Sequence, residues 1–167
     1  MVVYEGDWMS GEQHGYGIVY NDNSTKFYEG DLIHWNREGK GILFYETGQK
    51  FYEGDWLDDS STGKGIQYRP SGTRVYEGDF INGAWEGWGI QYDKIGYKVF
   101  SLFLFNSKIY EGEWKADRRD GTGTEFEKSG KAVFEGGWDE NQRVKSSSME
   151  PKVFDTRKKT LTFIARR

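Results

Sequence analysis

A 24-residue period constrains this chain more than any other feature. The phrase YEGDW at Tyr4–Trp8 returns as YEGDL at Tyr28, YEGDW at Tyr52, YEGDF at Tyr76, YEGEW at Tyr110 and FEGGW at Phe134. The first four phrases start 24 residues apart, and so do the last two. Glycine keeps the same period. It stands at Gly15, Gly39, Gly63, Gly87 and Gly121, again two residues further on at Gly17, Gly41, Gly65, Gly89 and Gly123, and then at Gly48, Gly72, Gly96 and Gly130, where the first unit has Ser24. Such self-similarity marks a repeat architecture, in which each unit buries its apolar face only against its neighbours.

Each unit alternates twice, as in Phe27-Tyr28-Glu29-Gly30-Asp31-Leu32 and Gly65-Ile66-Gln67-Tyr68. Period-two alternation bounded by glycine predicts two strands of about five residues per unit, joined in an antiparallel meander. No segment shows a helical period. At ~4.8 Å per strand, a unit advances roughly 10 Å, giving an all-β, single-layer, open and twisted sheet on the order of 50 Å long. Alternation places Tyr4, Gly6 and Trp8 on one face and Glu5 and Asp7 on the other. A glycine between two aromatics leaves a slot in which a ring can lie, so YEGDW reads as a building unit.

Composition agrees. The chain has 167 residues, which suits one domain, and its mean hydropathy of −0.85 with 30% charged residues would suit disorder were 17% of it not aromatic. The absence of cysteine removes disulfides and cysteine-based metal or nucleophile chemistry. There is no apolar run near ~18 residues and no signal-type start, so the expectation is a soluble, cytoplasmic protein.

The pattern YEGDW-x-x-G-x-x-x-G-x-G, carried by Tyr4-Glu5-Gly6-Asp7-Trp8, Gly11, Gly15 and Gly17, resembles the MORN (membrane occupation and recognition nexus) repeat. The resemblance extends from Tyr4 to about Asn141. It implies tandem β-hairpins in an elongated sheet, and a role as a scaffold at cytoskeleton and membrane junctions, as a binder of partner proteins, or as an accessory to an enzyme. The array is assigned to residues 1–145, with units starting near 4, 28, 52, 76 and 110, a truncated unit at 100 and a half unit at 134. Residues 146–167 are assigned to a linker and a basic capping segment.

The chain breaks its own rule at Phe100-Ser101-Leu102-Phe103-Leu104-Phe105, where the period predicts another YEGDW. Loss of one strand there predicts an inverted meander from Tyr110 onward. Leu102, Phe103, Leu104 and Phe105 either fill the core at a bend or form an exposed strip for a partner or a second copy of the chain. A homodimer through this strip is expected, with the uncapped first strand as the other contact. Residues 152–167 carry Lys152, Arg157, Lys158, Lys159, Arg166 and Arg167 against Asp155, a net +5 in a chain of net −4, leaving −9 elsewhere. That tail could fold back on the acids, meet anionic lipid, or meet a second chain.

Catalytic groups are scarce. His14 and His34 are the sole histidines, so the usual zinc sets are missing, and GYGIVY after His14 is no phosphate loop. The carboxylate pairs recur in every full unit, which suits a lattice better than an active site. The chain therefore reads as a non-enzyme without cofactor or metal. The acids Glu5/Asp7, Glu29/Asp31, Glu53/Asp55, Glu77/Asp79 and Glu111/Glu113 would bind turn amides or receive a basic peptide. Lys26, Lys50, Arg74, Lys98 and Lys108 are expected on the opposite face, by parity. An acidic array disfavours nucleic acid. The expected binding groove for a protein or peptide is lined by Tyr28, Tyr52, Trp56, Tyr76, Phe80, Trp85, Trp88, Tyr110 and Trp114, with second-strand rings Tyr20, Phe44, Tyr68, Tyr92 and Phe126 along the same groove. The rivals are a peripheral membrane tether using the basic tail and a regulatory subunit of an enzyme.

Overall fold

The computed structural model describes residues 3–93 and 107–144, with two short strands beyond them. Alternating side chains and glycine turns produce β1 (Val3–Met9), β2 (Glu12–Tyr20), β3 (Lys26–Ile33), β4 (Asn36–Phe44), β5 (Lys50–Leu57), β6 (Ser60–Tyr68), β7 (Arg74–Ile81), β8 (Ala84–Tyr92), β9 (Lys108–Lys115), β10 (Arg118–Phe126), β11 (Ala132–Asp139) and β12 (Gln142–Arg143). They form one antiparallel 12-stranded sheet in strict chain order. β13 (Val153–Asp155) and β14 (Thr160–Thr162) pair as a separate two-stranded sheet. From β2 to β11 the strands are 8 or 9 residues long, not about five. The ladder runs on beyond each YEGDW phrase and through the GxG.

Two kinds of turn alternate. The tight ones place both central residues at positive φ, as at Asp58 (45°) and Asp59 (63°) or Ala116 (46°) and Asp117 (64°). These are mirror-image two-residue turns whose twist matches that of the flanking strands. The wider ones close with the Gly48 amide donating to the Tyr45 carbonyl (2.8 Å) and the Tyr45 amide to the Gln49 carbonyl (2.8 Å), with Gly48 at φ 85°. This accounts for Gly48, Gly72 and Gly130 near the ends of their units, and Ser24 takes the same left-handed position at φ 63°.

The core is a ladder of rings along one face. Each leading tyrosine lies across paired glycines: a Cβ on Gly65 would sit 2.5–2.6 Å from Cε2 and Cζ of Tyr52. Its hydroxyl donates to the backbone carbonyl three residues on, as Tyr28 to Asp31 (2.9 Å) and Tyr76 to Asp79 (3.1 Å). The closing ring of the phrase meets two tyrosines edge-on. Trp56 packs against Tyr52 (5.1 Å) and Tyr28 (5.6 Å), and Trp114 against Tyr110 (5.1 Å) and Tyr76 (5.5 Å). The Trp56 and Trp114 indole N–H groups each donate to a glycine carbonyl of the preceding unit, Gly41 and Gly89, at 3.2 Å. A one-layer sheet thus buries its aromatics lengthwise, each unit roofing the one before it.

The meander does not invert at Tyr110. β9 pairs with β8 in the register Gln91↔Tyr110 and Gly89↔Gly112, matching Gln67↔Tyr76 and Gly65↔Gly78 between β6 and β7. Residues 93–107 connect β8 to β9 where 69–73 connect β6 to β7, so the irregularity is an insertion between consecutive units. Leu102, Phe103, Leu104 and Phe105 lie outside the described residues. So do Lys152, Arg157, Lys158, Lys159, Arg166 and Arg167.

Candidate partner-binding surfaces

The ring face is already occupied by the protein itself. Tyr28, Tyr52, Trp56, Tyr76, Phe80, Tyr110 and Trp114 are all buried, none more than 6% exposed. A further row covers them, contributed by the residue nine positions after Tyr28, Tyr76 and Tyr110. Arg37 lies over Trp56 (4.3 Å), and Arg119 lies over Tyr110 (4.6 Å) and Trp138 (5.1 Å). Trp85 stacks flat on Tyr76, with centroids 4.4 Å apart and an interplanar angle of 6°. Trp85 and Arg119 are pinned from the unit before, Gln67 Oε1 accepting from Trp85 Nε1 (2.8 Å) and Gln91 Oε1 from Arg119 Nη2 (2.8 Å), whereas Arg37 donates to Asp59 of the unit after (2.8 Å).

Burial has titration consequences here. It pushes the phenol of Tyr110 up to about 12, against the opposing pull of Arg119, and that of Tyr92 likewise up to about 12, helped by Glu77. Tyr28, Tyr52 and Tyr76 are raised further still by the same burial. Burial also lowers the Arg119 guanidinium, which Glu125 partly restores.

The opposite face is polar but not as parity foretold. Lys26, Lys50, Arg74 and Lys108 pair with Glu29 (2.7 Å), Glu53 (2.8 Å), Glu77 (2.6 Å) and Glu111 (2.5 Å), on the face from which parity excluded them. A bulge in each strand is the cause. Leu43 faces Tyr52 but Phe44 faces Lys50, so Phe51 is extra and the lysine rotates to the glutamate side. The second-strand rings also belong to this face and not to the ring groove. The Tyr68 and Tyr92 hydroxyls donate to Glu53 (3.2 Å) and Glu77 (3.0 Å), the Tyr20 hydroxyl to Glu5 (3.0 Å), Lys108 sits 4.3 Å over Phe126, and Phe44 holds the register equivalent to Tyr20 and Tyr68.

The acids two positions further on take backbone amides, but of strand residues in β4, β6 and β8 and not of the turns. Asp31, Asp55 and Asp79 accept from the amides of Lys40 (3.1 Å), Lys64 (2.9 Å) and Trp88 (3.0 Å). Asp55 is also paired with the Lys40 ammonium, and Asp79 with that of Lys64 (2.5 Å). For Asp55, burial raises the carboxyl, but the Lys40 and Lys64 hydrogen bonds outweigh it and hold it below the ordinary aspartate value.

On this face β5–β8 enclose a shallow depression of about 480 Å³. Gly65, Gly78, Ile66 and Ile90 form its floor, and Glu53, Glu77, Lys64 and Trp88 its rim. Trp88 is 46% exposed, in contrast to Trp56, Trp114 and Trp138, none of them more than 6% exposed. The nine expected groove residues therefore separate: seven are packed core, Trp85 is their cover, and Trp88 stands alone on the other side. Lys64, Ile66 and Ile90 are not among the partner-binding residues expected from the sequence, although parity within the second strand places both isoleucines beside the glutamates.

A second accessible cluster lies at the first tight turns. Trp8 and Trp35 are 56% and 54% exposed and meet edge-on at 6.3 Å. His34 pairs with Glu12, its ring lies 6.0 Å from that of His14, and His14 Nδ1 is buried without a hydrogen-bond partner among the described residues. No group of three metal-ligating side chains occurs among the described residues.

The family model for the MORN repeat matches residues 4–25, 52–74 and 110–130, which are the first, third and Tyr110 units of the ladder. Comparison with curated proteins gives no significant match.

Proposed function

We propose that this chain of MORN repeats is a protein-interaction scaffold with no catalytic chemistry of its own, and that it receives a partner polypeptide on the face carrying Trp88. MORN repeats are in general modules of protein and membrane interaction rather than enzymes, which is compatible with this reading. The observation that carries it is the depression on β5–β8, where Ile66 and Ile90 form an apolar floor beside a half-exposed indole. Exposed aromatic and apolar side chains on a rigid frame lose little entropy on binding and are favoured at interfaces. An extended segment fits such a surface, its alternate side chains entering the depression. The ring face is less suited, because its aromatics are spent on one another.

The test is selection of extended peptides from a random display library on the whole chain, followed by calorimetric titration of the selected peptides. Trp88→Ala and Ile66→Ala should each weaken binding about tenfold or more, while Leu57→Ala, at a side chain 59% exposed on a turn edge, should leave it unchanged. Selected peptides indifferent to both central variants would refute the assignment. Sedimentation with phosphatidylserine vesicles tests the rival role, a membrane tether acting through the basic tail. Salt-sensitive pelleting of the whole chain, with no peptide selected, would favour that role.

A further inference from the structure

One register of the polar face runs along the sheet, and its rungs differ in what stands opposite the acid: a lysine in two, an aromatic ring in two, and in the last Thr122 faces Gly137. The residue twelve positions after the leading aromatic faces the acid of the next unit's phrase: Tyr16↔Asp31, Lys40↔Asp55, Lys64↔Asp79 and Trp88↔Glu113. Directly opposed side chains on neighbouring strands share a face and lie within contact of each other. In the second and third of these rungs the lysine ammonium neutralises the acid. In the first, Tyr16 is 50% exposed but its hydroxyl donates to Glu29 (2.7 Å), so its polar edge already has a partner within the sheet. At the fourth, an indole stands where the lysines stand. Glu113 accepts from the Thr122 amide (2.5 Å) and hydroxyl (2.8 Å) but meets no cation among the described residues. Trp88 is 46% exposed, and among the described residues no ring stacks on it and no cation lies over it.

We infer that Trp88 and Glu113 form a receptor for the guanidinium of an arginine side chain, supplied by the partner polypeptide and completing the interrupted ladder. This rests on the partner-binding reading above and adds the chemistry of the partner. The two groups are those a guanidinium uses together: its plane stacks on an indole and its edge donates to a carboxylate. Lys40 and Lys64 show that a cation placed at this register pairs with the acid opposite. The depression lies on the β7 side of Trp88 and Glu113 on the β9 side. A peptide seated over Ile66 and Ile90 can therefore pass an arginine across the indole to Glu113. The remaining charges around the site are already matched, with Asp79 held by Lys64 and Glu77 by Arg74.

The experiment is a two-dimensional NMR titration of the whole chain with N-acetyl-arginine amide, followed on the indole N–H signals at constant ionic strength. The Trp88 signal is assigned with Trp88→Phe. A single cation–π contact with one exposed ion pair corresponds to a dissociation constant of roughly tens of millimolar. The expected result is a saturable shift of the Trp88 signal in that range, absent with the neutral isostere N-acetyl-citrulline amide. In Glu113→Gln, which keeps an oxygen to accept from Thr122, the affinity should fall at least about threefold. Equal shifts with citrulline amide, an undiminished response in Glu113→Gln, or equal shifts at the exposed Trp8 and Trp35 would each overturn the inference. If arginine amide binds while no peptide is selected, the receptor stands and the scaffold reading falls. If selected peptides bind at Ile66 and tolerate citrulline for arginine, the scaffold reading stands and the receptor falls.

Discussion

Replacing Gly65 with alanine tests the packing of the ring ladder at one methyl group. The new Cβ would lie 2.5–2.6 Å from Cε2 and Cζ of Tyr52 and closer still to its hydroxyl. Tyr52 is 2% exposed, with Trp56 and Phe80 edge-on at 5.1 and 5.0 Å and a hydroxyl donating to Asp55 O (3.1 Å). The ring has nowhere to slide within the row, so it must leave its slot. Evicting a buried ring costs about what truncating one costs, roughly 3–5 kcal/mol. The lost hydrogen bond and edge contacts are part of that figure. Urea unfolding followed by tryptophan fluorescence would read the change, with amide exchange on β5–β7 to detect local opening in a repeat array. The decisive comparison is a double-mutant cycle. With Tyr52→Ala already in place, Gly65→Ala should cost almost nothing, since alanine is otherwise the better strand residue by about 0.5–1 kcal/mol. Gly48→Ala is the contrast: its Cβ meets open space but its φ of 85° is left-handed, so about 1 kcal/mol is expected. A Gly65→Ala variant within about 1 kcal/mol of the parent, or one additive with Tyr52→Ala, would refute the slot.

His34 and Trp35 hold the two left-handed positions of a tight turn at φ 50° and 73°, and replacing both with Asn-Gly should stabilise the chain by about 1–2 kcal/mol; a lower melting temperature would mean that the Trp8–Trp35 contact outweighs the turn strain. Tyr92 and Tyr110 titrate in the folded state at about 12 against 10.0 for a free phenol, so their contribution to stability is full below pH 10 and is lost as pH rises through about 12. Absorbance at 295 nm should show part of the 11 tyrosines ionising only as circular dichroism is lost, and full ionisation near pH 10 with the sheet intact would contradict the burial. Lys50→Met should cost less than about 1 kcal/mol and less again in high salt, because both partners of that ion pair are over 40% exposed. Arg119→Met should cost about 3 kcal/mol, since it uncovers Tyr110 and Trp138 and leaves Gln91 and Glu125 short of a donor, and denaturant midpoints that rank the two variants in the reverse order would contradict the cover row. Hydrogen bonding holds the Asp55 and Asp59 carboxyls below the ordinary aspartate value although burial raises them; their stabilisation is present above the unfolded pKa and disappears as pH falls through the folded one, which an acid melt series would read.

The architecture was legible because its cause is local and repeated. The 24-residue period, the alternation within each phrase and the glycine registers each impose a strand, a turn or a slot on every unit, so the all-β meander follows without knowledge of distant contacts. The role of glycine beside the tyrosines could also be read, because a missing Cβ next to an aromatic has a single steric meaning. What failed was every inference that carried parity through a bulge or across a hairpin. Phe51 and its counterparts add one residue to a strand, which turns Lys50 toward Glu53; alternation alone cannot register an extra residue. Tyr110 follows its spatial predecessor after a longer gap, and cross-strand pairing with Gln91, not spacing, decides that the ladder continues. The expected groove was filled because Arg37, Trp85 and Arg119 arrive over the rings from the second strand of each hairpin. Residue types show that a ring must be buried, but which neighbour buries it depends on the twist and register of strands that meet only once the sheet has formed.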